Sequence, residues 1–406
     1  HDLGKQVPAE TVISKAIELN ANAIGLSALL VSTSKQMPLI VNELHRRNLD
    51  LPVLIGGAAI NKKFGRRILM TDQNEYYGPG VFYCKDAFEG LSTMDTLVNP
   101  TEKTALMEKI RREADFELGQ AGEEGSSKPG VEIKPTIPPA AVIPSVEEYG
   151  PRLVKKMPLE AVYQCLSKNE LFRLSWGAKN AHGDDWKKLL AEYEDRLQVM
   201  IKEAEREGWL RPRAVYGYWP CQSVGNDLVI YQPVTVNSGK PIELTRFNFP
   251  RQSFGEYLCL ADYFSSKESG RMDVVALQVV TVGQEATERF DQMQATGNYS
   301  EGYFTHGLAV QMAEATAEYL HRHIRRELGI ESEQGKRYSW GYPSVPELAD
   351  HQKVFSLLPV EQELGMSLTS AYQLVPEQST AAIILHHPQA KYFNLGESRI
   401  NQLMKD

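Results

Sequence analysis

Apolar positions in the first hundred residues fall into short continuous runs set between segments of helical period. Residues 23–30, 51–55 and 80–84 read as buried strands, the second stopped by Gly56-Gly57, and residues 35–47 read as an amphipathic helix between the first two. Continuous apolar strands separated by helices predict a doubly wound parallel α/β sheet covered on both faces, with ligands beyond the carboxyl ends of the strands. A charged helix is expected over 101–118. Residues 119–145, rich in Gly, Ser, Glu and Pro, read as a semi-extended, mobile linker, so the chain divides into 1–118, the linker, and a mixed α+β unit over 146–406. In that unit helical patterns lie at 159–166 and 186–207. A hairpin is expected to pair 214–218 with 228–232 around turn residues 223–227. An apolar strand follows at 273–281, then a long helix over 303–328. On this helix Leu308, Met312, Ala315, Tyr319 and Ile324 keep close to a 3.6-residue period, Glu314, Glu318, His321, Arg322 and Arg325 form the polar face, and Gly329 closes it.

Composition narrows the class. The 406 residues, 42% of them hydrophobic, with 44 Lys+Arg against 52 Asp+Glu, exclude a collagen-like, coiled-coil or disordered chain and suit two or three globular domains. A net charge of −8 leaves no basic surface for nucleic acid, and the pairs Lys62-Lys63 and Arg66-Arg67 read as solvated helix faces. No apolar stretch approaches the ~20 residues that cross a bilayer and no signal peptide opens the chain, so a cytoplasmic location away from membranes is expected. The four cysteines, Cys84, Cys165, Cys221 and Cys259, form no Cys-x-x-Cys pair and read as reduced, buried residues. His321 and His323, two apart on a helix, cannot share a metal. Phosphoryl transfer and serine hydrolysis have no support, because neither a phosphate loop nor a Gly-x-Ser-x-Gly elbow is present.

Ser27-Ala28-Leu29 and Gly56-Gly57 end neighbouring parallel strands and so share one edge of the sheet, where glycine lets a flat group approach the backbone. By itself Gly-Gly after a strand is more often a turn. Asp2-Leu3-Gly4, Val7-Pro8-Ala9-Glu10, Gly25-Leu26-Ser27-Ala28-Leu29 and Leu54-Ile55-Gly56-Gly57-Ala58, in this order and spacing, resemble the cobalamin-binding domain of the cobalamin-dependent methionine synthases. The resemblance implies a flavodoxin-like, Rossmann-like fold in which Ser27, Leu29, Val31, Gly56 and Gly57 line the slot for the cofactor's nucleotide tail and Ala87 touches the cofactor. His1-Asp2-Leu3-Gly4-Lys5 looks like the family's Asp-x-His-x-x-Gly loop, whose histidine is the lower cobalt ligand, but Val7-Pro8 follows too soon. On that spacing His1 to Gly4 aligns with the second strand. The first strand and the axial-histidine loop are then expected upstream, in a fragment that holds no metal ligand of its own.

Arg337-Tyr338-Ser339-Trp340-Gly341-Tyr342-Pro343 and His386-His387-Pro388-Gln389-Ala390-Lys391-Tyr392-Phe393 resemble two segments of the same family's S-adenosylmethionine-binding activation domain, Arg-x-x-x-Gly-Tyr-Pro and His-Pro-x-x-Lys-Tyr-Tyr. Residues 224–227, 257–262 and 317–321 extend the likeness. The ligand presents a carboxylate, an ammonium, a sulfonium and an adenine ring, which call for an arginine fork, carboxylates and aromatic faces. By resemblance Arg337 clamps the carboxylate, the Ser339 backbone with Gly341 and Tyr342 shapes the pocket, Tyr392 and Phe393 border it, and Glu314 faces the cationic part. Ser167 stands where the family often has an aspartate for the amino group.

The implied activity is that of a methyltransferase fragment: methionine synthesis from methyltetrahydrofolate and homocysteine by the longer enzyme, and here reductive remethylation of cob(II)alamin to methylcobalamin. The chemistry would lie on cobalt and sulfonium rather than on a catalytic side chain. Implied partners are a flavodoxin-type electron donor and upstream homocysteine, folate and cap domains, zinc belonging only to the homocysteine domain. A corrinoid carrier or reactivase without catalysis of its own is the alternative. A nucleotide-binding module ranks below both, since no Gly-x-Gly-x-x-Gly turn is present.

Overall fold

The computed structural model describes the chain except residues 5–6, 29–33, 35, 58–59, 86, 125–136, 179–180, 234–240, 253–254, 370, 394 and 396–406; of residues 87–88 and 116–124 only the backbone is described. The chain forms two compact units, one of residues 1–134, 341–346 and 397–406, the other of 135–340 and 347–396.

The first unit runs α1 (Ala9–Glu18), β1 (Ile24–Ser27), α2 (Gln36–Arg46), β2 (Val53–Gly56), α3 (Lys62–Ile68), β3 (Val81–Tyr83), α4 (Ala87–Val98) and α5 (Pro100–Glu124). Its three strands are parallel in the order β1-β2-β3, with Ser27 opposite Gly56 and Ile55 opposite Tyr83. Helices therefore supply the crossovers, as the apolar runs predict. Asn61 caps α3 by accepting the Phe64 N–H at 2.9 Å. Ile13, Val41, Leu44, Val53, Ile55, Leu69, Val81 and Ile110 form the centre of the core.

Several expectations need correction. Burial on both faces holds only for Val81 and Phe82 of β3, since Gly25 and Ser27 of the edge strand β1 are exposed. His1 to Gly4 form no strand. The Gly4 N–H instead donates to Asp2 Oδ1 at 2.8 Å, and Gly4 has a φ of +80° that breaks extension. α5 runs six residues beyond 118, because Gln120, Ala121, Glu123 and Glu124 favour helix over linker. Arg66 is buried rather than solvated, its Nε donating to Glu113 Oε2 on α5 at 2.7 Å.

The second unit contains β4 (Gly150–Val154), α6 (Leu159–Tyr163), a π-helical turn at Leu171–Ser175, α7 (Gly183–Glu207), β5 (Arg213–Val224), β6 (Asp227–Tyr231), β7 (Glu243–Asn248), β8 (Asp273–Thr281), α8 (Gln284–Ala295) and α9 (Tyr299–Glu327). It continues through β9 (Lys336–Ser339), α10 (Asp350–Leu357), α11 (Val360–Leu364), β10 (Ser367–Leu368), β11 (Leu374–Val375) and β12 (Ser379–Leu385). The main sheet is antiparallel in the order β7-β6-β5-β8-β12-β9, with β4 also on β5. The expected hairpin exists, but in a different register. Residues 221–224 of β5 pair with β6, while residues 214–218 pair with β4 and β8. β5 is long enough to change partners midway.

All nine residues of β8 are buried, and α9 packs over β8 and β12. Gly307 gives Trp176 room against α9, where an added Cβ would come within 2.9 Å of the indole. Residues 138–141, part of the expected linker, lie on this unit. His387 Nε2 is 3.0 Å from the Pro138 carbonyl, the Arg271 guanidinium donates to the Ala141 carbonyl at 3.4 Å, and Ala140 is buried. Cys84, Cys221 and Cys259 are buried, whereas Cys165, expected to be buried, is half-buried. Among the described residues no helix is long and apolar enough to cross a membrane.

Candidate functional site

In the first unit, the parallel register brings the ends of β1 and β2 together. The Ala28 N–H donates to the Gly56 carbonyl at 3.0 Å, and the Cys84 N–H to the Ile55 carbonyl at 2.8 Å. Gly57 has a φ of +110°, and a Cβ there would lie 2.3 Å from the Ala28 carbonyl oxygen; at Gly56 it would lie 3.0 Å from that of Cys84. Only glycine permits this closeness at position 57. Ser27, exposed, and the half-exposed Gly56 and Gly57 thus share the carboxyl edge of the sheet. Leu29 and Val31 lie outside the described residues. Ala87 is placed only by its backbone, as the first residue of α4. A polar side chain beside two residues without side chains, at an open sheet edge, fits the insertion of a flat group. His1 is exposed, and no cluster of three or more His, Cys, Asp or Glu able to hold a metal occurs among the described residues.

In the second unit, β9 carries Arg337 and Ser339 two residues apart and therefore on one face. Arg337 Nη2 donates to Glu314 Oε2 of α9 at 2.9 Å, and Nη1 to Ser339 Oγ at 3.3 Å. Glu314 and Arg337, 23 positions apart, are joined by the return of the chain from α9 into the sheet. The Arg337 side chain is 15% exposed and that of Glu314 37%, so the pair is reachable from solvent. One turn along α9, Glu318 lies 3.7 Å from His321 Nδ1 and accepts from Arg322 Nε at 2.9 Å. Burial would raise the Glu318 carboxyl, but His321 and Arg322 bring it down to about 2. Burial lowers His321, against the pull of Glu318. His321, on the helix face read as polar, is nevertheless 2% exposed with Nε2 unpartnered among the described residues.

Tyr392 is exposed, and its hydroxyl donates to the Arg337 carbonyl at 3.0 Å. Phe393 is half-buried. Tyr338, between Arg337 and Ser339, donates to the Lys391 carbonyl at 2.8 Å. The structure thus brings Arg337, Ser339, Glu314 and Tyr392 together. Gly341 and Tyr342 belong to the 341–346 segment of the first unit. There the Gly341 N–H donates to the Val345 carbonyl at 2.8 Å, and Tyr342 is 54% exposed. Ser167 is exposed before the one-turn helix Lys168–Glu170 and makes no side-chain capping bond. Sequence reasoning missed Tyr338. Its signal was the alternation of β9, which sets a bulky apolar residue between two polar ones.

A guanidinium paired to a carboxylate, with an aromatic ring tied to the same strand, is complementary to an α-amino acid head group bearing both charges. The ligand's carboxylate suits Arg337 and its cation suits Glu314.

Comparison with known proteins gives three likenesses. The family described as vitamin B12 dependent methionine synthase, activation domain, matches residues 178–405. Curated methionine synthases of Mycobacterium tuberculosis (strain ATCC 25618 / H37Rv) and Mycobacterium leprae (strain TN) are 33% and 31% identical over 97% of this chain. The chain spans 36% of the length of each. Among solved structures, the MetH reactivation domain bound to AdoHcy is similar with a TM-score of 0.54 and 27% identity, over 63% of this chain and 84% of that one.

Proposed function

Because the chain belongs to the family of vitamin B12 dependent methionine synthase activation domains, we propose that its second unit binds S-adenosylmethionine for the reductive remethylation of cobalamin held by the first. The observation that carries this reading is the Arg337–Glu314 pair at 2.9 Å, with Ser339 on the same strand and Tyr392 hydrogen-bonded to it, inside the matched region. Arg337 holds the ligand carboxylate, Glu314 faces the ammonium and sulfonium, and Tyr392 with Phe393 borders the rest. Ser167 takes the place of an acidic contact.

In the first unit Ser27, Gly56 and Gly57, together with Leu29 and Val31, hold the cofactor's nucleotide tail, and Ala87 touches the cofactor. Cobalamin, when bound, supplies the cobalt centre that accepts one electron and then the methyl group. The chain's own part is placement: it orients the methyl donor and neutralises its charges, so the reaction draws on proximity rather than on acid–base groups. The electron comes from a flavodoxin-type donor. The homocysteine and folate steps belong to other domains of a longer methionine synthase, in the cytoplasm, where the four cysteines stay reduced thiols.

Equilibrium binding of S-adenosylmethionine to the chain, beside Arg337→Ala, tests the reading. Loss of a charged, partly buried clamp is expected to weaken binding by at least about tenfold. A folded parent chain that does not bind would overturn it and favour the corrinoid carrier instead.

A further inference from the structure

Tyr338 has no part in the ligand chemistry above, yet it is the best-buried aromatic beside the candidate site. Its alternation with Arg337 and Ser339 turns its ring to the opposite face of β9, where it is 2% exposed. Two successive residues of β9 and two of the C-terminal segment exchange hydrogen bonds. The Tyr338 hydroxyl donates to the Lys391 carbonyl at 2.8 Å, and the Tyr392 hydroxyl donates to the Arg337 carbonyl at 3.0 Å. The two rings meet edge to face with centroids 5.3 Å apart. β9 is the last strand of the main sheet, and the crossed pair gives a carbonyl of this edge strand a partner.

The two tyrosines differ in what holds them. Tyr338 is packed in the core, and burial pushes its phenol well above the ordinary value, so it remains a donor at any working pH. Tyr392 is 66% exposed. An aromatic so little packed keeps one orientation through the backbone that carries it, its edge contact with Tyr338 and the bond its hydroxyl makes. We infer that Tyr338 is a positioning residue of the ligand site: by holding the Lys391 carbonyl it fixes the backbone from which Tyr392 projects, and so sets the aromatic border beside Arg337 and Glu314. This inference rests on the S-adenosylmethionine reading for its ligand, though not for its geometry.

The test uses the full chain with S-adenosylmethionine as the probe, in the parent, Tyr338→Phe, Tyr392→Ala and the double variant, together with hydrogen exchange of residues 386–393 in the absence of ligand. Tyr338→Phe keeps the ring in the core and removes only the hydroxyl. It is expected to weaken binding by about three- to tenfold, the range of one hydrogen bond, and to speed exchange across the segment. In the Tyr392→Ala background the same change should cost nothing further, because its effect acts through Tyr392. Parent-like affinity and exchange in Tyr338→Phe would overturn the inference. So would a loss that persists undiminished without Tyr392, which marks general destabilisation. If the folded parent does not bind, the ligand reading fails, and the exchange comparison still decides whether Tyr338 fixes the segment.

Discussion

Asp273 is sealed from water at the start of β8 and keeps its charge through its surroundings. Burial alone would raise its carboxyl, but the His386 imidazole at 2.6 Å and the N–H groups of Ser265 and Val274, each at 2.7 Å, hold it below the usual value. Removing one member of a buried pair strands the other, so Asp273→Asn should lower the stability of the second unit by about 3–5 kcal/mol in urea unfolding. Because the folded value is depressed, this contribution is full above the unfolded value near ~3.9 and fades as pH falls through the folded one. The histidines act higher on the scale. Burial lowers His321, His351 and His387, so the unfolded chain binds their protons more readily than the folded one. The melting temperature should therefore fall as pH drops below about 6.5, and His351→Gln should flatten that fall even if it costs stability at pH 8. An unchanged slope would remove His351 from the account.

Gly57, just after β2, lies tightly against the backbone of Ala28. Gly57→Ala sets a Cβ 2.3 Å from the Ala28 carbonyl at a positive φ, against 3.0 Å from the Cys84 carbonyl for Gly56→Ala. The first should destabilise the unit by about 2 kcal/mol or more and the second by less, measured by thermal melting. Elements carried by one continuous signal were legible beforehand. β8 has the bounds its apolar run announces, and α9 differs from its helical pattern mainly by one extra turn at its start. Elements defined by distant partners were not. The twelve residues of β5 change neighbours midway, and no local pattern records which strand lies opposite. The same limit hid His321, since helical period cannot reveal that charged and aromatic groups distant in sequence converge over a polar face. The motif residues Arg337, Glu314 and Tyr392 were named from sequence, whereas the hydroxyl exchange between Tyr338 and Tyr392 required the fold.

Each unit has its own apolar core, one built on residues 12–114 and the other on residues 157–384. Calorimetry is therefore expected to resolve two unfolding transitions, with S-adenosylmethionine raising only that of the second unit. A single transition shifted as a whole would mean that the two cores melt as one. The last long strand among the described residues, β12, lies between β8 and β9, inside the sheet rather than at its end. Its position bears on how the protein is made. Every described strand and helix of the first unit lies within residues 1–124 and can form while translation continues. The other sheet has a gap until residue 385 is made, and through that interval β8, whose residues are all buried at the end, offers an apolar edge to any neighbouring chain. Slower translation across the final stretch is therefore expected to leave more of the protein aggregated.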